Sequence, residues 1–544
     1  MTPNLLSSRT TLAADAPDHR RCGLIAAAVA LALGTVSPVL AQSDSSQEIQ
    51  QLKDQMRQMQ EKLDQLERQQ QAQQQAAAAQ ATPNPPPPPP PPGAPARPAG
   101  PGIAAGPLTI TFGGFTELAS IYRNRNEIAD VGSVPFSQIP VPTASNYYLS
   151  EFRESARQSR FAMLTQGPEW NGVKPEAYLE TDFLGAAPTA NSRESNSYNL
   201  RVRTFYADAT WVDTGLYFLA GQSWSLATLY KNGLEARQED VPLTIDAQYV
   251  AGFNWTRNPQ VRIVEKFSDM FSLGISAESP QGVPNATNNV PSTLSAYPAN
   301  TYYQPTGNAA GLLDNATGYT VDPAPDVIVK AALDPGWGHY ELYGLGRAFR
   351  SEVGTASNTV YGGGIGGGFI LPLVQDVLSV QASGLIGKGI GRYGSSQLPD
   401  VTLEPNGDFS PIREYSALVG VFYYPWPSLQ TYIYGGREQA SADYFDATIT
   451  AGGTTLYGYG YGNPLYNNSG CYDLAGKKCV FNAQTVDEVT AGFWWKYYRG
   501  PLGNLQLGLQ LAYNQVDAFS GVGGAPSTNV FEGEVSFRYY PFQK

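Results

Sequence analysis

Leu505, Leu507, Leu509, Leu511 and Tyr513 form one apolar row, while Gln506, Gly508, Gln510, Ala512 and Asn514 between them are small or amide-bearing. Successive side chains of a β-strand leave opposite faces, so this run reads as one long strand with an apolar and a polar side. The pattern returns in Val489, Ala491, Phe493, Trp495 and Tyr497 opposite Thr490, Gly492, Trp494 and Lys496. It returns again in Phe531, Val535, Phe537 and Tyr539 opposite Glu532, Glu534, Ser536 and Arg538. A soluble β-sandwich alternates too, but its strands average about five or six residues. Runs of about nine to eleven with aromatics at their ends match a bilayer-spanning strand, and only closure into a barrel leaves no unpaired edge in lipid.

Connection lengths carry the same message. Short turns fall at 167–174, 213–215, 268–270, 336–338, 374–376, 426–428 and 502–504. Longer connections lie near 123–156, 185–198, 224–258, 280–325, 394–411 and 440–486, with two shorter ones around Gly354 and Gly521. Bacterial barrels have short periplasmic turns and long outer loops. Seven short turns require sixteen antiparallel strands, the first at 108–122 and the last at 529–542, with both termini inside. Two stretches resist this scheme. Arg201 and Arg203 are out of phase with Phe205, Ala207 and Ala209, which requires either a bulge or a reversed face. The stretch 246–255 is assigned to a loop although Tyr249, Ala251, Phe253 and Trp255 alternate, so eighteen strands also fit.

The first hundred residues are of another kind. His19-Arg20-Arg21, an apolar run at 24–33 and Val39-Leu40-Ala41 describe a secretory signal peptide over 1–41, too short in its apolar part to span a bilayer as a helix. Ile49, Leu52, Met56, Met59, Leu63 and Leu66 then follow a 3,4,3,4,3 spacing, the a and d positions of a short oligomerising coiled coil over 42–70. A Gln/Ala- and Pro-rich linker occupies 71–107, its eight prolines at 85–92 forming a semi-rigid rod. The barrel occupies 108–544.

The chemistry of the chain is narrow. Only 15% of residues are charged and only two are histidine, His19 and His339. The cysteines are Cys22, Cys471 and Cys479, which cannot build a zinc cage, so neither a metal nor a cofactor is expected. A Ser/His hydrolase in the outer membrane would depend on His339, placed beside a short turn where a satisfied interfacial histidine is expected, so the chain does not read as an enzyme. The net charge of −12 argues against nucleic acid. Cys471 and Cys479 bracket a nine-residue segment of an outer loop and are expected to form a structural disulfide in an oxidising compartment.

A sixteen-stranded barrel encloses an aqueous lumen, so inward charges are candidates for its constriction. Strand parity places Arg201, Arg203, Arg262, Lys330, Arg347, Lys496 and Arg538 inward, facing Glu180, Asp182, Glu341, Glu532 and Glu534. The loop at 224–258 adds Lys231, Glu235, Arg237, Glu239, Asp240 and Asp246. Folded inward it sets the narrowest bore; folded outward it caps the rim.

Ser159-Arg160-Phe161, Glu180-Thr181-Asp182-Phe183-Leu184-Gly185, Leu200-Arg201-Val202-Arg203 and Gly221-Gln222-Ser223-Trp224-Ser225 occur in an order that resembles the DcaP-like trimeric porins of Gram-negative outer membranes. The resemblance is clearest over 113–281, and the leader, coiled coil and linker share it. It implies a homotrimer with three pores, embedded in outer-membrane lipid, that takes up small anions such as dicarboxylates through a basic constriction. Arg160, Arg201 and Arg203 would form its basic side, with Glu180 and Asp182 as its acidic residues. An N-terminal segment in the periplasm would lie within reach of peptidoglycan. The chain departs from the family pattern in ending Phe542-Gln543-Lys544 rather than on an aromatic residue. The alternative reading is a plugged barrel with a surface, structural or cell-wall role.

Overall fold

The computed structural model describes residues 102–543 apart from 132–135, 137–138, 186–198, 286–300, 303–319, 354, 451–453 and 475–477. The expected leader, the coiled-coil positions Ile49, Leu52, Met56, Met59, Leu63 and Leu66, and the proline rod lie outside the described residues.

The chain closes into a sixteen-stranded antiparallel barrel. Its strands are β1 (Leu108–Arg123), β2 in two pieces (Glu151–Ser155 and Arg160–Gln166), β3 (Val173–Gly185), β4 (Asn199–Trp211), β5 (Leu216–Trp224) and β6 (Arg257–Ser268). They continue as β7 (Phe271–Glu278), β8 (Asp326–Leu333), β9 (His339–Val353), β10 (Ala356–Val374) and β11 (Leu378–Lys388). The last five are β12 (Arg413–Trp426), β13 (Leu429–Ala440), β14 (Ala483–Gly500), β15 (Gly503–Ala518) and β16 (Ser527–Tyr540). Each strand pairs with the next, and β16 returns to β1 through Thr116↔Tyr539 to Arg123↔Glu532. The seven short turns and the longer connections alternate as the sequence predicts. Residues 246–255 stay in a loop, so the count is sixteen and not eighteen.

The two faces are the reverse of a soluble protein's. Leu509, Leu511 and Tyr513 are 38%, 47% and 43% exposed, whereas Gln510 and Asn514 between them are 0% and 1% exposed. Leu118, Phe205, Ile263, Leu342, Ile365 and Val535 continue this outward apolar surface around the barrel. Trp337, Trp426, Trp495 and Tyr497 sit exposed at the strand ends beside the short turns, where an aromatic girdle meets the membrane interface. Apolar area of this extent gains about 25 cal/mol per Å² on leaving water, and the hydrocarbon of a bilayer supplies that gain.

The irregular stretch of β4 is a bulge. Glu180 pairs with Thr204 and Thr181 with Val202, which leaves Arg203 as the extra residue. Arg203 and Thr204 therefore both point inward and are both buried, while Val202 and Phe205 on either side face lipid.

Candidate functional site

The loop after β5, L3 (residues 225–256), folds into the lumen. A main chain crossing an aqueous bore must find partners for its N–H groups, and L3 finds them on the barrel wall. Leu226 N donates to Glu278 Oε1 of β7 (2.8 Å) and Tyr230 N to Glu341 Oε1 of β9 (3.0 Å). Ile245 N donates to Gln510 Oε1 of β15 (2.7 Å), Ala251 N to Glu488 Oε2 of β14 (2.9 Å) and Gly252 N to Glu438 Oε1 of β13 (2.8 Å). Gly252 has φ +85°, and a Cβ there would lie 2.1 Å from the Ala417 carbonyl oxygen, so only glycine fits against β12. L3 also descends to the β8–β9 turn, where Gly233 N meets Asp334 Oδ2 (3.1 Å). The apolar residues Leu226, Tyr230, Leu234, Ile245, Val250 and Phe253 are buried, so the loop carries a core of its own inside the barrel.

This seating changes the role of several inward charges. Lys330 is fully buried, pairs with Glu341 and donates to the Thr228 carbonyl (2.7 Å). Arg262 holds the Trp224 carbonyl and the Tyr230 hydroxyl. Arg347 pairs with Asp326 (3.1 Å) and with Asp400 (2.6 Å) in the loop 389–412. All three face inward as parity requires, but loops cover them, and they secure those loops instead of meeting solvent. Glu532 is taken by Arg123 (3.1 Å), and Glu534 accepts from Gln510 Nε2 at 3.4 Å. Arg538 pairs with Glu117 (3.0 Å), stacks over Trp494 and reaches the Ile245 carbonyl of L3 (3.3 Å). Lys231 is exposed and 4.0 Å from Asp240. Lys496 lies half-buried within a register shift near the β14–β15 turn.

The charges of β2 to β4 behave differently and gather into one cluster. Arg201 grips Asp182 with two hydrogen bonds, 2.9 and 2.7 Å. Arg203 donates to Asp182 (3.0 Å) and to Glu180, and Arg160 lies 3.9 Å from Glu180. Arg257, at the start of β6, stacks over the Trp224 ring at 5.0 Å. Three guanidiniums thus share two carboxylates with a fourth, Arg257, beside them, and the buried Arg160 Nε and Arg257 Nη1 have no hydrogen-bond partner among the described residues. Arg201 and Arg160 keep about a third and a quarter of their side chains open to the lumen. L3 touches the cluster through Tyr249, whose hydroxyl accepts from Arg203 Nη2 (3.0 Å). Burial by itself would raise that phenol, but Arg203, Arg160 and Arg257 outweigh it and bring it down to about 8. Arg237 of L3 pairs with Glu176 lower on β3.

On the neighbouring sector, formed by β13 to β16 and β1, the sign reverses. Glu117, Glu438, Glu488, Glu532 and Glu534 are all buried there. Glu127, packed against them from the first outer loop, is pushed well above the usual carboxyl range by burial and then by the charge of Glu532.

Sequence reasoning passed over Arg257, Tyr249, Glu438 and Glu488. Glu488 shares parity with Thr490 and was readable as inward, whereas Arg257 and Tyr249 reach the cluster only through the path of L3. His339 engages Asp334 through Nδ1 (2.7 Å) and Glu341 through Nε2 (3.0 Å), the satisfied interfacial histidine its place by the turn implies. Cys471 and Cys479 form a disulfide with a Cα separation of 4.8 Å. No cluster able to hold a metal ion occurs among the described residues.

A closed barrel with an apolar exterior, charged interior and inward third loop defines a transmembrane β-barrel of the outer-membrane porin fold. Among solved structures it is similar to the outer membrane channel DcaP of Acinetobacter baumannii, with 16% identity, 79% of this chain and 97% of that chain covered, and a TM-score of 0.52. It is less similar to Pseudomonas putida OprB (10% identity, 79% and 94% covered, TM-score 0.42) and Vibrio cholerae OmpT (9%, 81% and 99%, 0.41). No family model matches, and no curated protein does. The resemblance read from the sequence motifs thus holds at the level of the fold.

Proposed function

We propose that this chain is an outer-membrane porin through which small hydrophilic solutes diffuse passively, with small anions such as dicarboxylates favoured at its constriction. One observation carries the reading: four guanidiniums against two carboxylates at the junction of L3 with β2 to β6, with Arg201 and Arg160 still about a third and a quarter open. A guanidinium fork matches a carboxylate in geometry as well as charge, so a dicarboxylate can exchange between successive arginines without losing its partners. The path past L3 runs along Arg160, Arg201 and Glu180, with Arg203 and Asp182 buried behind them. Arg237 and Lys231 follow towards the periplasm. The assembly is a homotrimer in outer-membrane lipid, pegged by the coiled coil of residues 49–66, whose segment lies near peptidoglycan.

Single-channel current in a planar bilayer tests this, with the reversal potential measured in a KCl gradient before and after adding succinate. Three equal steps, anion preference and succinate-dependent blocking support the proposal, and Arg201→Ala with Arg203→Ala should then reduce both preference and blocking. Cation preference without blocking retains the pore and removes its anion selectivity. The anchoring of L3 on several walls favours a second reading, a plugged barrel with a surface or cell-wall role, and absence of any current would move it to first place.

A further inference from the structure

Below the arginine cluster, between β3, β4, β5 and L3, lies a cavity of about 190 Å³. Its volume is that of about six waters at liquid density. Tyr178 and Tyr206, with ring centroids 5.8 Å apart, and Trp224 supply apolar walls. Four of the residues that line it carry a buried polar atom with no hydrogen-bond partner among the described residues: Thr204 Oγ1, Tyr206 OH, Arg237 Nε and Glu239 Oε1. Thr204, Tyr206 and Glu239 are each more than nine-tenths buried. Leaving such groups unpaired costs about 1–3 kcal/mol apiece, and native interiors rarely tolerate several together. Thr204 faces the cavity in phase with Tyr206 of the same strand, and the bulge turns the adjacent Arg203 inward beside it.

The charges of the lining are already matched. Arg237 pairs with Glu176, and Glu180 with Arg203. Burial holds the Glu239 carboxyl above its usual range. An anion entering here would meet no free cation, because Arg237 is already held by Glu176. A molecule whose groups both donate and accept would satisfy two hydroxyls, a carboxyl oxygen and a guanidinium N–H at once, while its carbon face packs on the aromatic rings.

We infer that this cavity is a binding subsite for a small uncharged polyhydroxylated solute, a polyol or sugar of a few carbons, distinct from the anion-selective cluster above it. The subsite rests on the porin reading only for its place on a permeation path. Its own contacts are testable without current.

Full-length protein in detergent is mixed with xylitol, and binding is followed by saturation-transfer NMR; in parallel, xylitol is added to the KCl current in a bilayer. Saturable transfer to xylitol is expected, with the half-saturating concentration raised about tenfold in Tyr206→Phe and again in Thr204→Val, the loss of one hydrogen bond each. Both substitutions keep shape and remove an unpaired buried hydroxyl, so a merely structural role would leave binding unchanged. Absence of transfer, or transfer unaltered in both variants, overturns the subsite whatever the current shows. Saturable transfer with no KCl current retains the subsite and removes the porin reading. A current that falls linearly with xylitol, as viscosity alone requires, together with absent transfer, retains the porin and removes the subsite.

Discussion

Raising the pH from 7 to 9 should weaken the preference of the pore for anions, and Tyr249 is the group responsible. Its hydroxyl accepts from Arg203 at 3.0 Å, and although burial opposes ionisation, Arg203, Arg160 and Arg257 bring its pKa to about 8. An ordinary phenol titrates near about 10, so the cluster favours the phenolate by about 3 kcal/mol. A group with that pKa is about one-tenth ionised at pH 7 and about nine-tenths at pH 9. Four guanidiniums and two carboxylates leave a surplus of two positive charges. The phenolate cancels nearly one of them. At about 6 Å one charge is worth about 0.7 kcal/mol with water-like screening and about 3 kcal/mol at an effective dielectric of about 20. The chloride-to-potassium permeability ratio should therefore fall at least about threefold. The assay is the reversal potential in a KCl gradient at pH 6 to 9, kept near 0.1 M salt so that screening does not erase the effect. The wild type should show a midpoint near pH 8, and Tyr249→Phe a flat profile. A flat wild type, or a midpoint that survives in the variant, would refute the argument that surplus arginines set the field of the lumen.

Further outcomes follow from the loops. Glu438 accepts from Gly252 N (2.8 Å), Ser396 N (3.1 Å), Ser395 Oγ (3.3 Å) and Ser396 Oγ, so Glu438→Ala leaves these buried donors unpaired at about 1–3 kcal/mol each. Conductance should rise and flicker while the β-sheet circular dichroism is retained; a wild-type conductance would contradict the anchoring role. Asp240 and Asp246 of L3 are raised by burial to about 6, so the folded loop binds protons that the unfolded chain releases near about 4. The stability of L3 should be fullest below pH 4 and decline up to about pH 6, read as flicker that grows across that window and is constant above it. Cys471→Ser with Cys479→Ser opens a nine-residue loop worth about 2.5 kcal/mol in the chain-entropy account. Limited proteolysis should then cut that outer loop, with the conductance of the barrel unaltered.

The barrel was legible because parity and connection length are local properties. The row from Leu505 to Tyr513 reads the same in the sequence and on the lipid face. The phase error at Arg201 and Arg203 announced the bulge, which sets Arg203 inside next to Thr204. What parity cannot supply is what covers an inward residue. Arg160 and Lys330 are both strand cations directed into the barrel, yet one keeps a quarter of its side chain open and the other none. The difference is made by L3, which crosses from β5 to β13 and β14 before returning to β6. Contacts of that separation leave no periodic trace in the chain. For the same reason Tyr249 and Arg257, the first in the loop and the second at its end, joined the cluster unannounced.

The covering loop also explains why a net charge of −12 does not determine the sign of the pore. Glu278, Glu341, Glu414, Glu438 and Glu488 each accept a main-chain N–H from a loop folded inside the barrel. An inward loop offers many donors and a carboxylate accepts several at once, so acids on the wall are what an inner loop requires. These charges lie beneath L3 and the loop 389–412, out of reach of a passing solute. The arginines of β2 to β4 and β6 meet a side of L3 that brings the Tyr249 hydroxyl rather than free N–H groups, and Arg160 and Arg201 stay partly open. Moving one wall acid to that side separates local field from total charge. Thr204→Glu leaves the barrel more acidic by one, as does an added carboxylate at exposed Tyr457 in an outer loop. Only the first should reduce anion preference in the reversal-potential assay; equal effects from both would mean that total charge governs selectivity after all.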